Sequence, residues 1–285
     1  MHPPVRLRAL KRRRLIFAVL AAVSVLAGCG GTSDPVHDVR SAATTTLGLT
    51  AQSTLSLTGS RLFGGNPGTI IGRAQYSFPQ GLGYAALQLP ALGPRASGTA
   101  YLVFQPARLW SKPLVTTALP KGVLWISVPF TDERSAAAKA PSVALALEGL
   151  NPQLLLEEIA TGTVGARTAG QTVVNHVPFI RYIVSVDLKR ALAAAGKSGA
   201  LRAAIQQQLA ALGGRSRVQV TAGVDGTGRL AQLAASLPGS KLGTVQIGLW
   251  RFGSPIPLSL PLQSETVDID SVRRGVTPAS MFTGE

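Results

Sequence analysis

The strongest strand pattern in the sequence is Phe179-Ile180-Arg181-Tyr182-Ile183-Val184-Ser185-Val186, which Asp187 follows directly. The run is rich in β-branched and aromatic side chains, and these residue types favour strands. Asp187 is a good N-cap for a helix over 188–212, which is Ala-rich and broken at Gly196-Lys197-Ser198-Gly199. A strand that leads into a helix predicts a fold in which a sheet packs against helices.

Short strands are predicted on both sides of this stretch. Thr54-Leu55-Ser56-Leu57-Thr58 alternates between polar and apolar residues, as a half-buried strand does. Turns rich in Gly and Pro recur about every 8–15 residues, a spacing that indicates an antiparallel meander. The remaining predicted strands are 69–78, 84–89, 98–104, 109–110, 123–128, 163–167, 171–174, 217–224, 229–236, 244–252 and an edge strand near 266–269.

Two further helices are predicted, which gives about three in one domain. Residues 36–49 have a modest amphipathic pattern. Asn151 and Pro152 then provide an N-cap and a first helical position for a helix that continues over 153–160. No internal repeat and no convincing linker divide the chain.

The N-terminus has the pattern of a secretory signal. Residues 1–14 hold six basic and no acidic side chains, and residues 15–28 are uncharged and mostly apolar. This apolar run is short for a bilayer span, which takes about 20 residues. It ends at Leu26-Ala27-Gly28-Cys29, which resembles a bacterial lipobox. We therefore expect a signal peptide over 1–28, lipid attachment at Cys29, a tether over 29–35, a domain over 36–270 and a flexible tail over 271–285.

Composition narrows the class of protein. Cys29 is the single cysteine, so the fold has no internal disulfide and depends on its core. The predicted mature chain holds 22 basic residues (28 − 6) and 13 acidic ones, a net charge of +9. The cations are scattered and not interleaved with aromatic residues, so no nucleic-acid partner is expected. They suit either a solvated surface or attraction to anionic lipid headgroups.

The sequence offers little for catalysis. Its three histidines, His2, His37 and His176, are far apart, and no triad or metal-ligand cluster is evident. Glu157-Glu158 is interpreted as a solvated helix face, and Asp225-Gly226-Thr227-Gly228 as a hairpin turn. We therefore expect no enzyme, no metal and no cofactor. A hydrolase stays open only if His37 or His176 meets a carboxylate and a hydroxyl in a cleft.

Three segments carry a resemblance to a known family. They are 118–128, which begins Ala-Leu-Pro-Lys-Gly, 151–188, which includes Val177-Pro178-Phe179 and Val186-Asp187-Leu188, and 224–230, which reads Val-Asp-Gly-Thr-Gly-Arg-Leu. The chain resembles the LppX/LprAFG lipoproteins of mycobacteria and related actinobacteria, which are similar to the LolA/LolB carriers. The resemblance implies an α+β fold: a single domain with a strongly curved antiparallel β-sheet, a half-barrel, whose concave face is covered by helices.

The same resemblance implies a function without catalytic residues. We expect a lipoprotein on the extracytoplasmic face of the cell membrane that binds, and transfers or presents, lipids or glycolipids in an apolar cavity; an envelope transporter is a further candidate partner. Alternation along the strands places Ile126, Val184, Val186 and Leu233 in the pocket, although the opposite parity stays open because a one-residue error reverses the face. The alternative is a structural or adaptor lipoprotein with a solid core.

Overall fold

The computed structural model describes residues 34–60, 68–89, 98–106, 108–112, 119–129, 151–174, 177–196, 198–236 and 243–271. The chain divides into two compact units, Met1–Asp34 and Pro35–Glu285, and all the described residues except Asp34 belong to the second. The predicted signal peptide, Cys29 and the tail beyond residue 271 lie outside the described residues, so their boundaries remain predictions.

A single curved, open sheet of twelve strands dominates the second unit, with the order β12-β6-β5-β4-β3-β2-β1-β11-β10-β9-β8-β7. All pairings are antiparallel except that of β12, which runs parallel to β6. The strands are β1 (Thr50–Ser60), β2 (Gly68–Ser77), β3 (Leu82–Leu89), β4 (Gly98–Gln105), β5 (Arg108–Lys112), β6 (Trp125–Pro129), β7 (Thr163–Val174), β8 (Val177–Asp187), β9 (Arg217–Asp225), β10 (Leu230–Ser236), β11 (Thr244–Trp250) and β12 (Thr266–Asp268).

Four α-helices are described: α1 (Pro35–Leu47), α2 (Pro152–Gly162), α3 (Leu188–Ala194) and α4 (Gly199–Ala211). The predicted caps are confirmed. Asn151 Oδ1 accepts a hydrogen bond from the Gln153 amide at 3.1 Å, and Asp187 Oδ1 accepts one from the Lys189 amide at 2.9 Å. Short 3₁₀ turns lie at Phe78–Gln80, Gln263–Glu265 and Ile269–Ser271.

The structure differs from the sequence prediction in two places that matter for topology. The two strands predicted at 163–167 and 171–174 form one strand, β7, because the pairing with β8 continues across an irregularity between Thr168 and Gln171. Gly170, at φ 99°, supplies the left-handed backbone that this irregularity needs. The helix predicted over 188–212 is two helices, since the Gly196 to Gly199 break ends α3 before α4 begins.

The sheet has two chemically different faces. Along β1, the apolar residues Leu55 and Leu57 are buried on the face that the helices cover, here called the inner face. The alternating residues Thr54, Ser56 and Thr58 point to the opposite, outer face. One hydrophobic core lies between the inner face and the helices. Within the described ranges, no helix is both long and apolar enough to cross a membrane.

Candidate functional site

The four residues predicted to line a pocket are all buried on the inner face. Val184 and Val186 lie on β8, Leu233 on β10 and Ile126 on β6, each no more than 2 % exposed. The first three share the β8–β10 part of the sheet. In the sheet order six strands lie between Ile126 and Leu233, so Ile126 belongs to a different region of the same core. Their role as pocket residues stays a prediction.

Helix α1 is held close to the inner face by small side chains and one buried hydroxyl. Ala42 and Ala43 are buried against the core and let the helix axis approach the strands. Thr46 is fully buried; its Oγ1 donates to the Ala42 carbonyl at 2.8 Å and accepts from the Leu230 amide at 2.9 Å. A single side chain therefore satisfies the first amide of β10 and ties it to α1.

Helix α2 crosses over β8 and α3 at a glycine. A Cβ at Gly162 would lie 2.9 Å from Val186 Cγ1, closer than real Cβ contacts allow, and 3.0 Å from Ala191 Cβ. Glycine is therefore what permits this close approach. Arg40 of α1 donates from Nε to the Ala160 carbonyl at 3.0 Å and fastens the C-terminal end of the same helix.

The same helix buries a carboxyl group against the core, which corrects the sequence interpretation of Glu157-Glu158 as a solvated face. Glu158 is 2 % exposed, and its Oε1 accepts a hydrogen bond from Gln208 Nε2 of α4 at 2.6 Å. Helical spacing accounts for this, because position 158 lies four residues after the buried Leu154 and on the same side of the helix.

The electrostatics of the two neighbouring glutamates follow from their burial. Desolvation raises the pKa of Glu158 to about 7, although the hydrogen bond from Gln208 acts in the opposite direction. Desolvation also raises the pKa of the half-buried Glu157, against the hydrogen bond from Gln153 Nε2 at 3.0 Å. The interface between α2 and α4 therefore holds a carboxyl group that changes charge near neutral pH.

Helix α4 packs chiefly on other helices. It presents Ala200, Leu201, Ala204 and Ile205 to the core and contacts α2 and α3. Besides the Glu158 bond, it buries Gln207 Oε1, which has no hydrogen-bond partner among the described residues. Because α4 contacts mainly α2 and α3, a displacement of α4 would not break the hydrogen bonds between the strands.

The β2–β5 part of the inner face holds an aromatic cluster that the sequence analysis did not predict. Tyr76 stacks on Phe78 with ring centroids 5.6 Å apart and lies 6.3 Å from Phe104. Its ring covers Gly83, where a Cβ would lie within 2.5 Å of the ring carbons. Burial raises the pKa of the Tyr76 hydroxyl far above its usual range, so it stays neutral.

One pocket that the described residues form lies on the outer face. It is an open groove of about 630 Å³ that runs across β3, β2, β1 and β11. Most of the lining residues are polar or small, and Arg73 supplies the positive charge of the groove. The lining residues are Thr54, Leu55, Ser56, Ile71, Gly72, Arg73, Ala86, Gln88, Gln246 and Gly248. None of the four predicted pocket residues lines this groove, because they point to the other side of the sheet.

The remaining candidate residues form no catalytic centre in the described ranges. His37 is exposed on α1, while His176 and Cys29 lie outside the described residues. No group of three or more His, Cys, Asp or Glu side chains there is placed to hold a metal ion. Asp225 forms the predicted hairpin turn between β9 and β10, and its carboxylate is paired with Arg229 at 2.7 Å.

Several solved structures are similar to this chain, although no protein-family model and no curated protein sequence matches it. LprF from Mycobacterium bovis is 13 % identical with a TM-score of 0.44 and covers 80 % of this chain and 96 % of its own. The Mycobacterium tuberculosis lipoprotein LppX has the same identity, TM-score and coverage of this chain, and is itself covered completely. A LolA superfamily protein from Nitrosomonas europaea is 6 % identical, with a TM-score of 0.29 and coverages of 79 % and 96 %. LppX and LprF belong to the family that the sequence resembles.

Proposed function

We propose that this chain is a cell-envelope lipoprotein that binds the acyl chains of lipids or glycolipids between the inner face of its sheet and its helices. The observation that carries the proposal is the nature of this interface: a buried apolar face of a large open sheet, covered by helices that take no part in the strand pairing. Transfer or presentation of the lipid is part of the same proposal.

The membrane attachment that we propose rests on the lipobox-like sequence at Cys29. Five residues separate Cys29 from Pro35, where α1 begins. A fully extended segment of this length spans at most about 20 Å. A lipid anchor at Cys29 would therefore hold the start of α1 within about 20 Å of the lipid-bearing residue.

Access to the interface requires α4 to move away from α2 and α3, because the core side chains beneath these helices are buried. Val184 and Ile205 are fully buried in the structure. Separation would expose apolar surface, which an inserted acyl chain would cover again. Each buried methylene contributes about 0.8 kcal/mol, so a segment of about ten methylenes offers about 8 kcal/mol toward opening the core.

The direct test is lipid extraction from the mature protein, purified in detergent from membranes of an actinobacterial host, followed by native mass spectrometry. We expect one or two lipid molecules per protein. The matched variants are Ala204→Trp, which fills the buried side of α4, and Ala210→Trp, which adds the same bulk on its exposed side. Ala204→Trp should lower the amount of bound lipid, whereas Ala210→Trp should leave it unchanged.

Two results would contradict lipid binding. One is the repeated absence of bound lipid in wild-type protein, together with no saturable binding of a fluorescent hexadecanoyl probe. The other is an equal loss of lipid in both tryptophan variants, with far-ultraviolet circular dichroism showing that both are folded. Either would indicate that the apolar interface is ordinary core.

A structural or adaptor lipoprotein is the second candidate, and the closed core favours it. The four predicted pocket residues are no more than 2 % exposed, as expected of side chains that pack closely on their neighbours. An adaptor would yield no lipid on extraction and would be recovered with a protein partner after cross-linking in the envelope. Lipid binding predicts the opposite pair of results.

A further inference from the structure

We propose that the groove across the outer face of the sheet, called here the outer groove, binds an acidic oligosaccharide. The outer groove is defined by Thr54, Ser56, Ile71, Arg73, Gln88 and Gln246. It lies on the opposite side of the sheet from the helices, so this site is separate from the proposed lipid interface and does not depend on it.

The groove has room for a short chain molecule that lies across the strands. It extends over β3, β2, β1 and β11, which is three inter-strand spacings or about 14 Å. Two small residues keep it open: Ala86 and Gly248. A Cβ at Gly248 would lie 2.8 Å from Thr54 Oγ1, so any larger residue there would displace that hydroxyl group.

The polar groups that line the groove match the hydroxyl groups of a sugar. Thr54 and Ser56 provide hydroxyl groups and Gln88 and Gln246 provide amides, and each of these uncharged groups can both donate and accept. Gln88 Oε1 already accepts a hydrogen bond from Thr99 Oγ1 at 3.3 Å, which leaves its amide nitrogen for a ligand. Ile71, 55 % exposed, adds an apolar surface beside them for the C–H face of a sugar ring. Sites for small molecules combine apolar contact with a few placed polar groups in this way.

Charge indicates that the sugar is acidic. Arg73 points into the groove, and no carboxylate within the described ranges pairs with it. Strands β1–β4, β10 and β11 contain no Asp or Glu at all. Lys112 extends the positive charge, since Arg73, Ala86, Tyr101 and Lys112 stand in register on neighbouring strands. A guanidinium binds a carboxylate through two parallel hydrogen bonds, which gives selectivity for uronic acids.

A lipid headgroup is a poorer occupant than a separate saccharide chain. Acyl chains held under the helices would lie on the inner face, and the sheet stands between that face and the groove. Val184 and Leu233 are buried on the helix side, whereas Thr54 and Arg73 open to the outer side. One ligand cannot occupy both without passing around a sheet of twelve strands.

The test is isothermal titration calorimetry on the mature protein in detergent, with trigalacturonic acid and the uncharged galactose trisaccharide of the same linkage. We expect saturable binding at one site, with preference for the acidic sugar. Arg73→Gln should weaken binding of the acidic sugar by about ten-fold, which is about 1.4 kcal/mol, and remove the preference. The charge-matched control is Arg217→Gln, which removes an exposed arginine of β9 outside the groove and should leave binding unchanged.

A third variant tests the shape of the groove without changing its charge. Ala86→Leu narrows the groove, and we expect it to weaken both sugars to a similar degree. Three outcomes would overturn the proposal: no saturable binding of either sugar, an equal loss in the Arg73 and Arg217 variants, or full competition by inorganic phosphate at matched ionic strength. The second outcome would mean general attraction between opposite charges, and the third an anion site without recognition of a sugar.

Discussion

The buried carboxyl group of Glu158 makes the stability of the protein depend on pH in a direction that exposed glutamates do not produce. Its pKa is raised from 4.5 to about 7 by desolvation, while the unfolded chain keeps a pKa near 4.5. Below pH 4.5 both states are protonated, so the stability contributed by the neutral, hydrogen-bonded side chain is fully present. As the pH rises from 4.5 to 7 the unfolded state loses its proton first, and stability falls.

The magnitude follows from the difference between the two pKa values. That difference is about 2.5 pKa units, and each unit corresponds to about 1.4 kcal/mol, so the loss approaches about 3 kcal/mol. Glu158→Gln keeps the shape and the acceptor for Gln208 but cannot ionise. Relative to wild type, this variant should therefore gain up to about 3 kcal/mol of unfolding free energy between pH 5 and pH 8. Any penalty from its extra amide donors is independent of pH.

The assay is urea denaturation of the purified protein at pH 5, 6, 7 and 8, followed by tryptophan fluorescence. The neighbouring Glu157→Gln is the matched control, because it removes a charge from the same helix at a half-buried position and should show a smaller pH dependence. A stability difference between Glu158→Gln and wild type that stays constant from pH 5 to pH 8 would refute the reasoning. An equal pH dependence in both variants would do so as well.

Two further predictions concern how the helices are held to the sheet. Thr46→Val leaves a buried amide of β10 without its acceptor and should cost about 1–3 kcal/mol in urea denaturation, whereas Thr44→Val, on the exposed side of the same helix, should cost little. Gly162→Ala forces a methyl group against Val186 and should lower stability by about 1–3 kcal/mol in thermal unfolding, while Gly165→Ala, which meets nothing closer than 3.8 Å, should be nearly neutral.

Most strands and helices follow from local sequence patterns. The alternation over 54–58, the N-caps at Asn151 and Asp187 and the hairpin at Asp225 are all read from neighbouring residues, and the structure has each of them. The α+β class with a curved sheet and covering helices is likewise confirmed. Such features depend on interactions between residues a few positions apart, which a sequence displays directly.

The order of the strands could not be predicted, since it depends on pairs that are distant in sequence. Strand β1 pairs with β11, so that Leu55 stands opposite Ile247, and β12 pairs parallel to β6. A strand can form backbone hydrogen bonds equally well with several strands of similar composition. Nothing in the local sequence indicates that β1 pairs with β11 and not with β9 or β10. The burial of Glu158 was missed for a related reason: its partner, Gln208, lies fifty residues further along the chain.

The outer groove shows why alternation alone is insufficient to locate a binding site. A strand with period two places its apolar residues on one face and its polar residues on the other. The sequence-based prediction assigned the pocket to the apolar face. In β1 the apolar set, Leu55 and Leu57, is closed core, whereas the polar set, Thr54 and Ser56, lines the open cleft. Because adjacent residues of one strand point to opposite faces, a substitution at Thr54 can be compared directly with one at Leu55. Changes at Thr54 should affect a ligand in the groove, and changes at Leu55 should affect folding first.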